Sequence, residues 1–504
     1  MDTVIEIKNV NKVFAEVIAN DNISLEIKKG EVLAIVGENG AGKTTLMNII
    51  YGLYNHDSGD LAIFGKKIHH HSPKKAIELG IGMVHQHFML IPKFTVTENI
   101  ILGQEFTRNG IVLDIDKAID NVKSISEKYG LRVEPDQRVE TLSVGMQQRV
   151  EIIKVLFRGA EILILDEPTA VLTPQEAKEL FETINHLKNQ GKTIIFISHK
   201  LKEVLEIADR IVVLKNGRVV GIKNKAETDE RELARLMVGR DVVFESPHFK
   251  TTPREVVLEV KDIVVMGEKG LPAVKKVSLA LRKNEILGIA GVEGNGQVEL
   301  VEALTGLRSI VSGVIKIKGK EIKEFHPWTF RNEGFAHIPQ DRRKRGLILP
   351  FTISYNLILG RQRERIFSSG IFINSQSISD FSDKKMQEFD VRPRNKNLKA
   401  DALSGGNQQK VVIAREISSN PEVLVASQPT RGLDVGATEF VHKRLIEQRE
   451  SGKAVLLISL ELEEIMLLCD RIAVMYNGEI AGILDRKDAT EDELGLLMLG
   501  ARKH

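Results

Sequence analysis

The chain has a single cysteine, Cys469, few aromatic residues, almost no net charge and no long apolar run. One cysteine excludes a disulfide within the chain and any cysteine-based zinc site, and it fits a reducing compartment. Lys and Arg number 71 against 69 Asp and Glu, a net charge of +2, so nothing argues for a polyanion partner. With aromatics at 5%, a stacking surface for nucleic acid is unsupported. No apolar run approaches the roughly 20 residues that a membrane helix needs. The opening MDTVIEIKNV has no basic region followed by an apolar one, so no signal peptide is expected. Any work at a membrane is expected to be that of a peripheral subunit.

The chain does hold two copies of one plan. Gly37-Glu38-Asn39-Gly40-Ala41-Gly42-Lys43-Thr44-Thr45 recurs 254 residues later as Gly291-Val292-Glu293-Gly294-Asn295-Gly296-Gln297-Val298-Glu299. Ile23-Ser24-Leu25-Glu26-Ile27 recurs at the same offset as Val277-Ser278-Leu279-Ala280-Leu281. Farther on the offset is 261: Leu142-Ser143 matches Leu403-Ser404, and Asp209-Arg210-Ile211 matches Asp470-Arg471-Ile472. Seven extra residues therefore lie in the second half, between Gln340 and Ser404, and the polar stretch Ser368 to Ser382 is their expected place. Two domains are expected, 1–243 and 256–504, joined by a short linker, 244–255, with two prolines.

Within each half the pattern is α/β. Val32-Leu33-Ala34-Ile35-Val36 is a continuous apolar run leading into the glycine loop, and Thr44 to Leu53 reads as a helix. Ile162-Leu163-Ile164-Leu165 and Thr193-Ile194-Ile195-Phe196-Ile197 read as further buried strands, so a parallel sheet covered by helices is expected. The stretch from about 95 to 155 is patterned as a helical lobe.

Gly37 to Thr44 matches the phosphate-loop pattern G-x-x-x-x-G-K-[ST] between a strand and a helix, the context that motif needs. Its glycines let backbone N–H groups approach phosphates, and the helix start adds its dipole. Lys43 is expected to reach the β- and γ-phosphates and the Thr44 hydroxyl to ligate Mg2+. Asp166 and Glu167 follow a buried strand: Asp166 is expected to hold Mg2+ and Glu167 to polarise the attacking water.

On these residues, together with Leu403-Ser404-Gly405-Gly406-Asn407-Gln408-Gln409, the chain resembles the ATP-binding cassette (ABC) superfamily over essentially its whole length. The resemblance implies tandem P-loop NTPase domains, each with a RecA-like α/β core, a helical lobe and a small β subdomain, using ATP and Mg2+. Leu403 to Gln409 looks like the family's signature, with Asn407 where Gln is commoner. By position, Gln86 resembles the glutamine that senses Mg2+ and water, His199 the switch histidine at the γ-phosphate, and Phe14 the aromatic that stacks on adenine. The loop residues Gly37, Glu38, Asn39, Gly40, Ala41, Gly42, Lys43, Thr44 and Thr45 are implied to hold nucleotide.

The second half departs from that pattern. The lysine is Gln297, the hydroxyl residue Val298, the carboxylates Ser427 and Gln428, and the histidine Leu460. Family cassettes pair head to tail, each ATP lying between one phosphate loop and the opposing signature. Pairing the two halves joins the Lys43 set to Ser404, Gly405, Gly406, Asn407 and the loop Arg431-Gly432-Leu433-Asp434. The other composite site combines Gln297 with Leu142-Ser143-Val144-Gly145-Met146, and its opposing loop has Thr173 in place of the aspartate. Apart from Asn407, the departures all fall in that second site, so one hydrolytic and one degenerate site are expected.

Tandem cassettes of this kind resemble the energising subunits of importers for simple sugars and nucleosides. Val84 to Pro92 and Ile338 to Arg343 look like the nucleoside branch. That resemblance implies two transmembrane permease subunits, an extracytoplasmic solute-binding lipoprotein and a place at the cytoplasmic face of the membrane. A ribose-, galactose- or xylose-type importer is the alternative. A soluble tandem-cassette translation factor is disfavoured by the short linker and the ruined site. Two further clusters are not read as sites: His69-His70-His71 as a solvated turn, and Arg342-Arg343-Lys344-Arg345 as either solvated or facing a partner.

Overall fold

The computed structural model describes residues 2–14, 17–38, 40–68, 70–85, 88–108, 112–170, 172–198, 200–238, 254–268, 270–369 and 372–501. The chain packs as two units, Met1–Val242 and Val243–His504. The linker lies outside the described residues, apart from Arg254 and Glu255. Among the described residues no helix is long and apolar enough to cross a membrane.

Each unit has the same architecture. In the first, a six-stranded sheet runs in the order Arg218–Asn224, Arg210–Lys215, Val32–Gly37, Thr193–Ile197, Ile162–Asp166, Ile81–Val84. Its neighbours pair in parallel except for the hairpin at the Arg218–Asn224 edge. The apolar runs are central strands because both sheet faces are covered: every residue of Val32–Gly37, Ile162–Asp166 and Thr193–Ile197 is buried. A second, antiparallel sheet is made by Val17–Lys28, Thr3–Phe14, Ser58–Ile63 and Lys66–Lys67. Its alternating apolar residues, Ile5, Ile7, Leu25 and Ile27 among them, share a core with the helix Lys43–Ile50 and the central sheet. The helices Val96–Ile101, Ile115–Tyr129 and Val144–Phe157 form the lobe expected from the sequence. The second unit repeats this, with a central sheet in the order Phe335–Ile338, Val423–Ser427, Ala454–Ile458, Glu285–Ala290, Arg471–Tyr476, Glu479–Asp485.

The expected place of the seven extra residues is wrong. The helix N-caps Thr95 and Thr352 are already 257 apart, and the small hairpins that begin at Thr107 and Ser368 are 261 apart. Three residues therefore enter between Gln340 and Thr352, and four between Thr352 and Ser368. Ser368 to Ser382 is polar without being longer: Ile378, Ser382 and Met386 are buried on the helix Ser375–Glu388, as Ala118, Val122 and Ser126 are on Ile115–Tyr129. Buried positions four apart mark one helix face whatever the composition of the other faces. The interval that takes the first insertion holds a π-helical turn, Arg342–Gly346.

Candidate active site

In the first unit, parallel register brings the chemistry to one sheet edge. Ile35 pairs with Ile197, and Ile197 with Asp166, so Ile162–Asp166 and Thr193–Ile197 end level and Val32–Gly37 runs past them to Gly37. Their carboxyl ends deliver the glycine loop, Ser198 and the pair Asp166–Glu167 to the same rim, where open α/β sheets bind ligands. Gly42 stands at φ +96°, and a Cβ there would lie 2.2 Å from the Ala19 carbonyl oxygen, so this turn requires glycine. The helix Lys43–Ile50 follows at once, one residue earlier than the sequence suggested and ending short of Leu53.

Lys43 is 6% exposed and folds back along the loop. Its Nζ donates to the carbonyl oxygens of Gly37 (2.6 Å) and Glu38 (3.0 Å). Burial pushes its pKa down, against the pull of Glu167, Asp166 and Glu38. Burial, with Glu167 adding, raises the Asp166 carboxyl to about 6, and Lys43 opposes that rise. An acid this buried beside a second acid has the chemistry of a cation ligand. Glu167 adopts φ +47°, a conformation that disfavours a non-glycine residue by about 1–2 kcal/mol, and its N–H donates to Ile197 O at 3.0 Å.

Thr44 is exposed, Thr45 half-buried and Ala41 buried, with Gly40 at φ +84°. Phe14 ends its strand 40% exposed, edge-on to Tyr54 with ring centroids 5.2 Å apart. An exposed ring offers a face for stacking that a core phenylalanine does not. Asn39, Gln86 and His199 lie outside the described residues, as does His69. His71 is half-buried and bonds the Ile50 carbonyl at 2.7 Å, so it anchors the turn and is not simply solvated.

The second unit keeps the backbone and changes the tips. Gly296 stands at φ +96° as Gly42 does, and a Cβ there would meet Ala273 O at 2.3 Å. Gln297 is 6% exposed, and its Nε2 donates to Val292 O at 2.9 Å. Gln428 adopts φ +49° and its N–H donates to Ile458 O at 2.7 Å. Neither the cation nor the carboxylates remain at these positions.

The signature region of the second unit is well ordered by its own bonds. Ser404 caps the helix Gly405–Ser418 and accepts from the Asn407 amide at 3.0 Å. Asn407 Oδ1 accepts from Arg392 N at 2.7 Å. Asp434 caps the helix Val435–Glu450, accepting from Ala437 N at 2.7 Å.

One residue here was read from the sequence only as part of a basic cluster, either solvated or facing a partner. Arg342 turns inward from the π-turn and donates to Arg431 O at 3.0 Å. A Cβ on Gly405 would lie 2.5 Å from its Nη2, so Gly405 admits the guanidinium. Its cluster mates Arg343 and Lys344 are exposed, while Arg345 pairs with Glu302 at 2.6 Å. Asp341, which accepts from the N–H groups of Arg343 and Lys344 at 3.0 Å, aims the turn. The basic run gave no sign of this because the side chains diverge only once the turn forms.

The ABC transporter family model matches residues 20–170 and 274–431, one match in each unit. The chain belongs to the ABC transporter family. Its two units are ABC cassettes, the architecture is that of tandem ATPases, and the ligand class is ATP. The chain is 50% identical over 99% of its length to the nucleoside import ATP-binding protein NupA of Lactococcus lactis subsp. cremoris, covering 98% of that protein. It is also 50% identical, over 99% of the chain and 98% of the relative, to the guanosine import ATP-binding protein NupO of Bacillus subtilis. The ribose import ATP-binding protein RbsA of Caldanaerobacter subterraneus subsp. tengcongensis is 37% identical over 99% of the chain and all of the relative.

Proposed function

We propose that this chain energises a nucleoside importer by hydrolysing ATP at one composite site, built from the first cassette's phosphate loop and the second cassette's signature. The observation that carries the reading is a division of labour. Buried Lys43 and the Asp166–Glu167 pair belong to one cassette, while Ser404, Gly405, Gly406, Asn407 and Asp434 belong to the other. Head-to-tail pairing of the cassettes within one chain unites them.

In this reading the loop 37–45 holds the phosphates, Lys43 exchanges its loop carbonyls for phosphate oxygens, and Phe14 stacks on adenine. Thr44, Asp166 and Gln86 would hold Mg2+, which neutralises phosphate charge when bound. Glu167 takes a proton from the attacking water, and His199 meets the γ-phosphate. Ser404 and the start of its helix complete the phosphate cage, so that hydrolysis loosens the two cassettes from each other. The Gln86 region passes that motion to two permease subunits at the cytoplasmic face of the membrane, with a solute-binding lipoprotein outside.

The nucleoside assignment is supported by 50% identity to NupA and NupO against 37% to the ribose protein. The test is to purify the assembled complex and identify the solute that its binding protein retains. Retention of a nucleoside is expected; retention of ribose or galactose and no nucleoside overturns the substrate. Glu167→Gln is expected to stop ATP turnover, and near-normal turnover in that variant overturns the site.

A further inference from the structure

We infer that Glu176 closes the first cassette's signature to a nucleotide phosphate, so that the degenerate composite site is disabled from its signature side as well as from its Gln297 side. The inference rests on the head-to-tail pairing proposed above.

The two signatures are equivalent in backbone. Ser143 caps the helix Val144–Phe157 as Ser404 caps Gly405–Ser418, and the following helices are capped by Thr173 and Asp434. At the third residue of those following helices the cassettes differ. The first has Glu176 and the second has Ala437.

Glu176 reaches across to the signature. Its Oε1 accepts from the Gly145 N–H at 3.2 Å and from the Ser143 hydroxyl at 3.4 Å. Its Oε2 accepts from Thr173 N at 3.0 Å and Thr173 Oγ1 at 3.1 Å, the reciprocal half of a capping box. The carboxylate is thus held from both sides, half-buried, with one oxygen on the two donors that correspond to Ser404 and Gly406. In the second cassette Ala437 presents a methyl group to that place, 3.1 Å from where a Cβ on Gly406 would lie, and the Ser404 hydroxyl bonds Asn407 instead.

A carboxylate is an oxyanion, and here it takes the position and the donors that a phosphate oxygen would use. An incoming phosphate must displace it from two bonds and approach its charge. Like charges a few ångströms apart, away from bulk water, weaken binding by at least about tenfold. Val144 in place of Gly405 adds a side chain to the same turn. Val144, Met146 and Thr173 remove favourable features, whereas Glu176 adds a repulsive one.

The experiment uses the full chain in its assembled complex with Glu167→Gln, which arrests turnover. Labelled Mg-ATP is titrated against three versions: Glu176 unchanged, Glu176→Gln and Glu176→Ala. Gln keeps the capping box and removes the charge; Ala installs the residue of the second cassette. Two classes of ATP site are expected, with the weaker class tightening at least tenfold in the Ala variant, Gln between, and the tighter class unchanged. A capping role alone would lower the melting temperature of the Ala variant and leave both affinities where they were. Tightening of less than about threefold in both variants, including failure to detect a weaker class in either, overturns the inference. If turnover survives Glu167→Gln, the reading of the active site fails instead, which the turnover assay shows separately.

Discussion

Lys43 and Gln297 sit at the same register of their cassettes, equally buried, and each donates to the carbonyl of the residue after the loop's first glycine, Glu38 and Val292. Glu167 and Gln428 share a left-handed backbone and a bond to the end of the neighbouring strand. The loop and the strand end are parts of the fold, because a Cβ at Gly42 or Gly296 would collide with the adjoining sheet. In the proposed function the tips of Lys43 and Glu167 carry the chemistry, and the second cassette has the same backbone without them. Gln428, a side chain that cannot serve as a base, holds the same strained turn as Glu167, so the strain belongs to the chain path.

Swapping tips between the cassettes tests this separation. The largest effect is expected at Glu167. Glu167→Gln should lower ATP turnover of the complex by about 100-fold or more, the usual worth of a general base, whereas Gln428→Ala should leave it within about twofold. Comparable losses in both would mean that the second cassette still contributes chemistry. Next, Gln297→Lys with Val298→Thr restores a charge-assisted phosphate contact. By the roughly 1.5–3 kcal/mol that hydrogen bonds to charged groups supply, ATP affinity at the second loop should rise about tenfold in a labelled-ATP titration.

A smaller effect is expected at the π-turn. Arg342→Met keeps bulk and removes the bond to Arg431 O, which should lower the unfolding free energy of the full chain by about 1–3 kcal/mol in a urea titration. The smallest concerns His337, whose counterpart at the same register in the first cassette is Met83. Burial pushes the His337 pKa down to about 4, and its Nε2 is buried without a hydrogen-bond partner. The unfolded chain binds a proton there below about 6.5 and the folded chain does not, so the contribution is complete above that pH and is lost as pH falls toward 4. His337→Met should therefore lose less stability than the parent between pH 7 and pH 5, measured as the shift in melting temperature.

Much of the fold was legible in the sequence because a duplication states each element twice. The strands Val32–Gly37, Ile162–Asp166 and Thr193–Ile197 were readable as apolar runs, and the glycine loop by its spacing. The place of the insertion was not, because composition at Ser368 to Ser382 does not show which positions of a helix face the core. The contacts of Arg342 and Glu176 were missed for a related reason. Thr173-Pro174-Gln175-Glu176 can be read as a capping box, but a capping box does not say that the second carboxylate oxygen reaches Ser143, 33 residues earlier.

The sequence by itself determined the repeat, the family and which phosphate loop keeps its lysine and which has lost it. Those properties depend on which residue types stand at fixed spacings along the chain, and a motif's chemistry is already in its side chains. Only the tertiary structure decided that Arg342 leaves its basic neighbours for the signature, that Gln297 takes over a lysine's bond, and that Glu176 occupies the first signature's donors. These depend on distances between residues far apart in the chain, set when the sheet closes and the helix starts pack, and a hydrogen bond is decided within a few tenths of an ångström.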